Sequence, residues 1–187
     1  MPGSLINLLK SRKVSRAIKT TRLSSDKIEM LMNAAQLSAS CYNNQSWRFL
    51  FLNEEKELEK GRKALSSGNR WAESAPLLIA GFSRKDLDCQ TSDGREYYLF
   101  DLGMATQLIL LQATELDLIA RPMAGFKPEV IREEFNIPFN YEIYVMIAVG
   151  LEGDIDSLDE KSRKKSLRQR KRNDVSANFF LNEFKEN

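Results

Sequence analysis

Glu142–Leu151, EIYVMIAVGL, is the clearest strand signal in the chain: ten residues rich in β-branched and aromatic side chains, with no charge after Glu142. A second run, residues 76–82 (PLLIAGF), is apolar without interruption over strand length, which points to burial on both faces. Residues 47–52 (WRFLFL) read as a third strand. Around these lie helical patterns. Leu5, Ile6, Leu8 and Leu9 mark one side of a short first helix, and a second helix is expected after Ser24 or Ser25, with Asp26 in its first turn. Ile28, Leu31, Met32, Ala35 and Leu37 supply its buried face, and its period breaks near Ser40.

Residues 54–66 read as a charged surface helix and 97–116 as a long apolar one. The stretch 120–126, which contains Pro122 and Gly125, reads as irregular, and Pro128 suits the first turn of a short helix through Phe135. Helices first, then strands interleaved with helices, make an α+β sandwich in which helices flank a mixed sheet. One domain over 1–187 is expected, since no repeat or low-complexity linker divides it.

The 187 residues include no histidine and only two cysteines, Cys41 and Cys89. Imidazole general bases, Ser-His and Cys-His dyads and His-containing zinc sites are therefore excluded, and two thiols cannot make a four-ligand site. So few cysteines make no secreted disulfide framework, so a reducing, cytoplasmic setting is expected, with Cys41 read as a small buried apolar residue. No signal peptide pattern opens the chain, and the greasy stretch 97–118 carries Asp101, Gln107, Glu115 and Asp117, so no membrane segment is expected. The charge is asymmetric. Residues 161–172 hold eight of the 28 basic side chains and no acid, leaving 20 basic against 26 acidic elsewhere. A mildly acidic body thus ends in a basic arm over 154–187, which finishes with Phe179, Phe180, Leu181 and Phe184. Apolar groups beyond a charged arm need a surface to cover, which a partner subunit would offer.

Two further constellations carry potential chemistry. Arg12-Lys13-Val14-Ser15-Arg16 would place Arg12 and Arg16 on one face if helical, either as an anion site or as a solvated helix end. Ser40-Cys41-Tyr42-Asn43-Asn44-Gln45-Ser46-Trp47 lies between helix and strand. It is either a plain turn or a set of amide donors and acceptors suited to the edge of a heterocycle. The basic arm is a solvated tail, a nucleic-acid contact or a source of phosphate ligands; lacking aromatics over 161–172, it makes a poor single-strand platform.

Taken in order, these motifs resemble the FMN-dependent nitroreductase family. Residues 12–16 are similar to its Arg-Arg-Ser-x-Arg opening, and residues 40–47 to its Ser-x-x-Asn-x-Gln-Pro-Trp segment. Ala75-Pro76, Asp101-x-Gly103-x-Ala105-x-Gln107, Gly125-Phe126 and Arg170-x-Arg172 follow in family order, so the resemblance spans nearly the whole chain. It implies a mainly antiparallel sheet, a homodimer with exchanged C-terminal arms, and a flavin site built from both subunits.

In that site Arg12, Arg16, Arg170 and Arg172 would hold the FMN phosphate, with Lys13 and Ser15 also among the cofactor-binding residues. Ser40, Asn43 and Gln45 would lie near the ribityl chain and ring, and Met123, Ala124 and Gly125 would approach from the other side. The implied activity is ping-pong transfer of reducing equivalents from NADH or NADPH to a nitro compound, quinone or similar small acceptor. The flavin carries the chemistry, and no metal is needed. This sequence departs from the pattern at Val14, Tyr42, Ser46 and Leu116-Asp117-Leu118, and only Ser83 to Arg95 stand where longer members carry helices over the flavin. The alternatives are a degenerate flavin-binding protein with little turnover, and binding of nucleic acid or an acidic partner through 161–172.

Overall fold

In the computed structural model, which describes residues 4–168 and 170–184, the elements run α1 (Leu5–Ser11), α2 (Ser25–Gln36), β1 (Arg48–Leu52), α3 (Glu55–Lys63), β2 (Leu77–Ser83), α4 (Tyr98–Glu115), β3 (Leu118–Met123), α5 (Pro128–Glu134), β4 (Glu142–Leu151) and α6 (Glu160–Ser166). The four strands form one antiparallel sheet in the order β1-β2-β4-β3. The central pair β2 and β4 matches Leu77 with Val149 at one end and Ser83 with Glu142 at the other.

Alternation along these two strands explains their unbroken apolar runs. Leu77, Ile79, Ile147 and Val149 face α2 and α4, while Leu78, Ala80, Met146 and Ala148 face the side covered by α3 and α5. The molecule is therefore three layers, helix, sheet and helix. On α2, Ser24 caps the first turn by accepting from the Lys27 N–H, and Ile28, Leu31 and Ala35 form the buried stripe. Met32 and Leu37, expected in that stripe, are exposed instead.

Two expectations are corrected. Residues 120–126 are not irregular throughout, because Leu118–Met123 is an edge strand in which Arg121 pairs with Ala148 and Pro122 with Ile147. A proline is tolerated at a sheet edge, where one side of the strand needs no partner. Residues 12–16 are also not helical. α1 stops at Ser11, and the chain runs on to a single bridge between Ile18 and Glu152. Backbone bonds Lys19 N–H to Leu151 O and Gly153 N–H to Ala17 O, both 2.9 Å, lash this strap to the end of β4. Gly153 permits the approach, since a Cβ there would lie 3.1 Å from the backbone of Ile18.

Among the described residues no helix is long and apolar enough to cross a membrane. Because Ile147 sits fully buried in the central strand, Ile147→Ala is expected to cost about 2–5 kcal/mol of stability, read as a lower urea midpoint with an unchanged slope.

Candidate functional site

The strap after α1 and the start of the C-terminal arm enclose a cavity of about 550 Å³, with Lys10, Arg12 and Lys13 on one wall and Ser166, Arg168 and Arg170 on the other. Arg170 returns to α1. Its guanidinium donates to the carbonyls of Lys10 at 3.1 Å and Arg12 at 2.9 Å, which caps the last turn of that helix and sets the position of Arg12. Lys13 pairs with Glu152, but Arg12, Arg168, Arg170 and Arg172 have no carboxylate partner among the described residues. Burial, and then the charges of Arg170 and Arg172, lower the Arg12 pKa. Val14 and Ser15 also line this cavity. The Ser15 hydroxyl is buried and accepts from the Ala17 N–H at 3.1 Å, which leaves its O–H to donate.

Arg16 behaves differently from Arg12. Its residue is 8% exposed, its backbone N–H donates to Ser166 Oγ at 3.1 Å, and its guanidinium lies 5.8 Å from the ring centroid of Trp71. Arg121 approaches the same indole, at 5.2 Å. Trp71 Nε1 donates to Asn69 Oδ1 at 3.1 Å. Asn69 Nδ2 and Ser66 Oγ in turn donate to the Gly125 carbonyl at 2.8 and 2.6 Å. A Cβ on Gly125 would stand 2.8 Å from each of those two polar side chains, so only glycine lets both grip the carbonyl. Met123 is buried and Ala124 exposed beside it.

The third part is the turn after α2. Tyr42, Asn43 and Gln45 all have positive φ, at 49°, 59° and 50°. Asparagine tolerates this region, whereas tyrosine and glutamine pay strain of order 1 kcal/mol. The turn is held by several bonds: Gln45 N–H to Ser40 Oγ at 3.0 Å, Gln36 Nε2 to Gln45 Oε1 at 2.7 Å, and Cys41 N–H to Asp101 Oδ2 at 3.1 Å. Ser83 Oγ on β2 also donates to the Ser46 carbonyl at 2.8 Å. Tyr42 points outward at 80% exposure.

Cys41 is not the unpaired apolar residue expected from the sequence. It forms a disulfide with Cys89, 48 residues on, which ties this turn to the segment following β2. That pairing depends on two loops meeting in space, so nothing local announces it, and it removes the cysteine-count argument for a reducing compartment.

Arg12, Lys13, Ser15 and Arg170 thus come together in one cavity, and Arg172 lies near enough for its charge to act on Arg12. Arg16 joins Trp71 and Arg121. Gln45 lines a separate groove of about 580 Å³ with Asn44, Trp47 and Arg48, and no residue lines both this groove and the basic cavity. Arg121, Asn69 and Ser66 went unrecognised in the sequence. An arginine on the inward side of a strand would have been the signal, had β3 been read as one.

The description Nitroreductase family attaches to the family model that matches residues 64–151. An uncharacterized 15.4 kDa protein of Mycolicibacterium smegmatis is 32% identical over 108 residues, 58% of this chain and 71% of that protein. A protein of Archaeoglobus fulgidus, named for NADH dehydrogenase/NAD(P)H nitroreductase, is 23% identical over 80% of this chain and 86% of its own. Among solved structures, a nitroreductase family protein of Clostridium difficile 630 superposes with a TM-score of 0.80 at 26% identity, covering 97% of this chain and 99% of that one. An oxidoreductase containing FMN reaches 0.88 at 23% identity, covering 99% and 95%.

Two outcomes are expected from the turn. Alkylation before reduction should label neither Cys41 nor Cys89, and alkylation after reduction should label both, read by intact mass. Asp101 is fully buried, and its Oδ1 has no partner among the described residues. Burial raises its carboxyl pKa, with Asp88 adding to the shift and the Cys41 N–H opposing it. The folded state therefore binds this proton more tightly than the unfolded chain, and stability is lost as pH rises from the ordinary aspartate range through the raised value. Asp101→Asn does not titrate. Its stability relative to the parent should therefore increase as pH rises upward from the ordinary aspartate range in urea titrations, and a constant difference would contradict the assignment.

Proposed function

This chain belongs to the nitroreductase family, and on that premise we propose that it is an FMN-dependent oxidoreductase passing reducing equivalents, in ping-pong fashion, from NADH or NADPH to a nitro compound, quinone or similar small acceptor. The observation that carries this reading is the basic cavity in which Arg12, Arg168 and Arg170 converge without a carboxylate partner among the described residues. A phosphate monoester brings a charge of about −1.5 to −2, and planar guanidinium forks match its oxygens. The FMN in the name of one structural relative and the NAD(P)H in that of a sequence relative support the same cofactor and donor.

Bound FMN would supply the electron-accepting atom itself, so the chain's task is to hold and orient it. Arg12, Arg170 and Arg172 hold the phosphate, with Lys13 at the rim beside Glu152. Ser40, Asn43 and Gln45 offer polar groups to the ribityl chain and ring, and the clamped Gly125 carbonyl keeps the 123–125 backbone in place for a close approach. The return of Arg170 to α1 supports a phosphate role for the arm over a free nucleic-acid-binding tail.

We further propose that the working form is a homodimer with the flavin between copies. The strap with Arg12 hangs from the Leu151 end of β4, and the 40–46 turn from the Ser83 end of β2. Seven paired residues separate those ends, roughly 20 Å at strand spacing, so one flavin meeting both sets draws them from two chains. An apolar groove on α2 and α4, lined by Met30, Leu37, Leu108 and Leu111, fits a subunit contact. The exposed Phe179, Leu181 and Phe184 suit an arm laid on the partner.

Protein purified with FMN should be yellow, bleach under NADH or NADPH, and recover colour on adding a quinone; protein that never retains FMN would end the proposal. Arg172→Ala should weaken FMN binding by about 1.5–3 kcal/mol in fluorescence titration, and an unchanged affinity would remove Arg172 from the phosphate set.

A further inference from the structure

The Cys41–Cys89 disulfide joins two segments that the rest of the structure holds unequally. The 40–46 turn has other ties: to Asp101 through the Cys41 N–H, to Gln36 through the Gln45 side chain, and to Ser83 through the Ser46 carbonyl. The segment 84–95, which crosses from β2 to α4, has few. Within it Asp88 and Cys89 alone are buried. At its entry the Arg84 guanidinium lies 5.0 Å from the Tyr141 ring centroid. Beyond that, among the described residues, the hydrogen bonds and ion pairs of 85–95 stay within 84–97. Asp88 is typical, accepting from the Cys89 N–H at 2.7 Å and from the Tyr97 N–H at 2.5 Å. The disulfide is therefore the bond that holds this segment against the 40–46 turn.

The two cysteines differ in access. Cys89 is 3% exposed, whereas Cys41 is half-buried, so an attacking thiolate reaches the Cys41 Sγ first. The sheet does not depend on this bond. β2 and β4 are held by their own ladder and by apolar layers on both faces, neither of which runs through Cys41.

We propose that this disulfide is a redox-operated latch: a dithiol reductant opens it through Cys41 and frees 84–95 from the 40–46 turn, while the sheet stays intact. A thiolate of the reductant attacks the Cys41 Sγ, the bond between Cys41 and Cys89 breaks, and Cys89 leaves as a thiolate. The reductant's second thiolate then displaces Cys41 from the mixed disulfide. Each cysteine takes up one of the two protons that the reductant's thiols release. Two electrons pass to the protein, so the dithiol ends as a disulfide and Cys41 and Cys89 as free thiols. The consequence for the site rests on the flavin reading above. Ser40, Asn43 and Gln45, assigned there to the ribityl chain and ring, lie on the latched turn. The released segment uncovers that end of the site and admits larger acceptors.

The test follows hydrogen exchange by mass in the full chain when oxidised, when reduced with dithiothreitol, and in the double variant Cys41→Ser with Cys89→Ser. In the last two forms the amides of 84–95 should exchange at least about tenfold faster than in the oxidised protein, while those of β2 and β4 keep its rate. Unchanged exchange in 84–95 overturns the latch. Loss of protection throughout the sheet overturns it too, since the disulfide would then be a staple of the whole fold. Glutathione, a monothiol, should leave its mixed disulfide on Cys41, and an adduct on Cys89 overturns the assignment of the attacked sulfur. With FMN bound, the double variant should show a KM for a bulky quinone at least about threefold below that of the oxidised parent, with the KM for benzoquinone unchanged. If that variant does not fold, the parent reduced and then freed of dithiothreitol under nitrogen is read in the same way. Equal KM values in the two forms overturn the gating and leave the flavin reading standing. A chain that takes up no FMN overturns the flavin reading and the gating, with the latch itself decided by exchange.

Discussion

The antiparallel pairing of β2 with β4, covered on both faces, is the constraint from which the rest of the molecule hangs. Each strand must put apolar groups on both sides, so Leu77 and Ile79 pack against α2 and α4 while Leu78 and Ala80 pack against the α3 and α5 layer. The ends of this ladder then become the anchoring points. The Leu151 end holds the 17–19 strap and so places Arg12 and Lys13. Ser83, at the other end, holds the Ser46 carbonyl and so places the 40–46 turn. Two sets of polar residues are kept apart by the length of a strand.

Charge is organised as deliberately as apolar surface. The body is acidic, but Arg12, Arg168 and Arg170 make no ion pair among the described residues, since Glu152 in their cavity is paired with Lys13, and the basic arm adds to them by folding back. Arg170 joins both functions, since the guanidinium that lines the cavity also terminates α1 by hydrogen bonding to its last carbonyls. The strained turn shows a similar economy. Three non-glycine residues at positive φ persist because hydrogen bonds, the buried Asp101 carboxyl and the link to Cys89 leave the chain little alternative.

Much of the fold was legible because it depends on short-range pattern. β4 matches its apolar run end to end, the Ser24 cap and the Ile28, Leu31, Ala35 stripe define α2, and Pro128 opens α5. β3 was not legible, since Pro122 and Gly125 speak for a loop and only the pairing with β4 overrides them. The candidate site divides in the same way. Arg12, Lys13 and Arg170 were recognisable by motif and order and do meet in one cavity, whereas the company of Arg16 with Trp71 and Arg121 appears only in three dimensions.

By itself the sequence determined which chemistries are open to this chain. With no histidine and two cysteines, imidazole bases and four-thiolate sites are closed to it, and the order of the motifs indicates which family supplies the frame. Only the tertiary structure decided which cations act together and that Cys41 joins Cys89. The physical reason is range. Helix stripes, caps and strand alternation are set within a few residues, but electrostatic grouping, covalent cross-links and burial depend on contacts between segments tens to more than a hundred residues apart, which exist only once the sheet has formed.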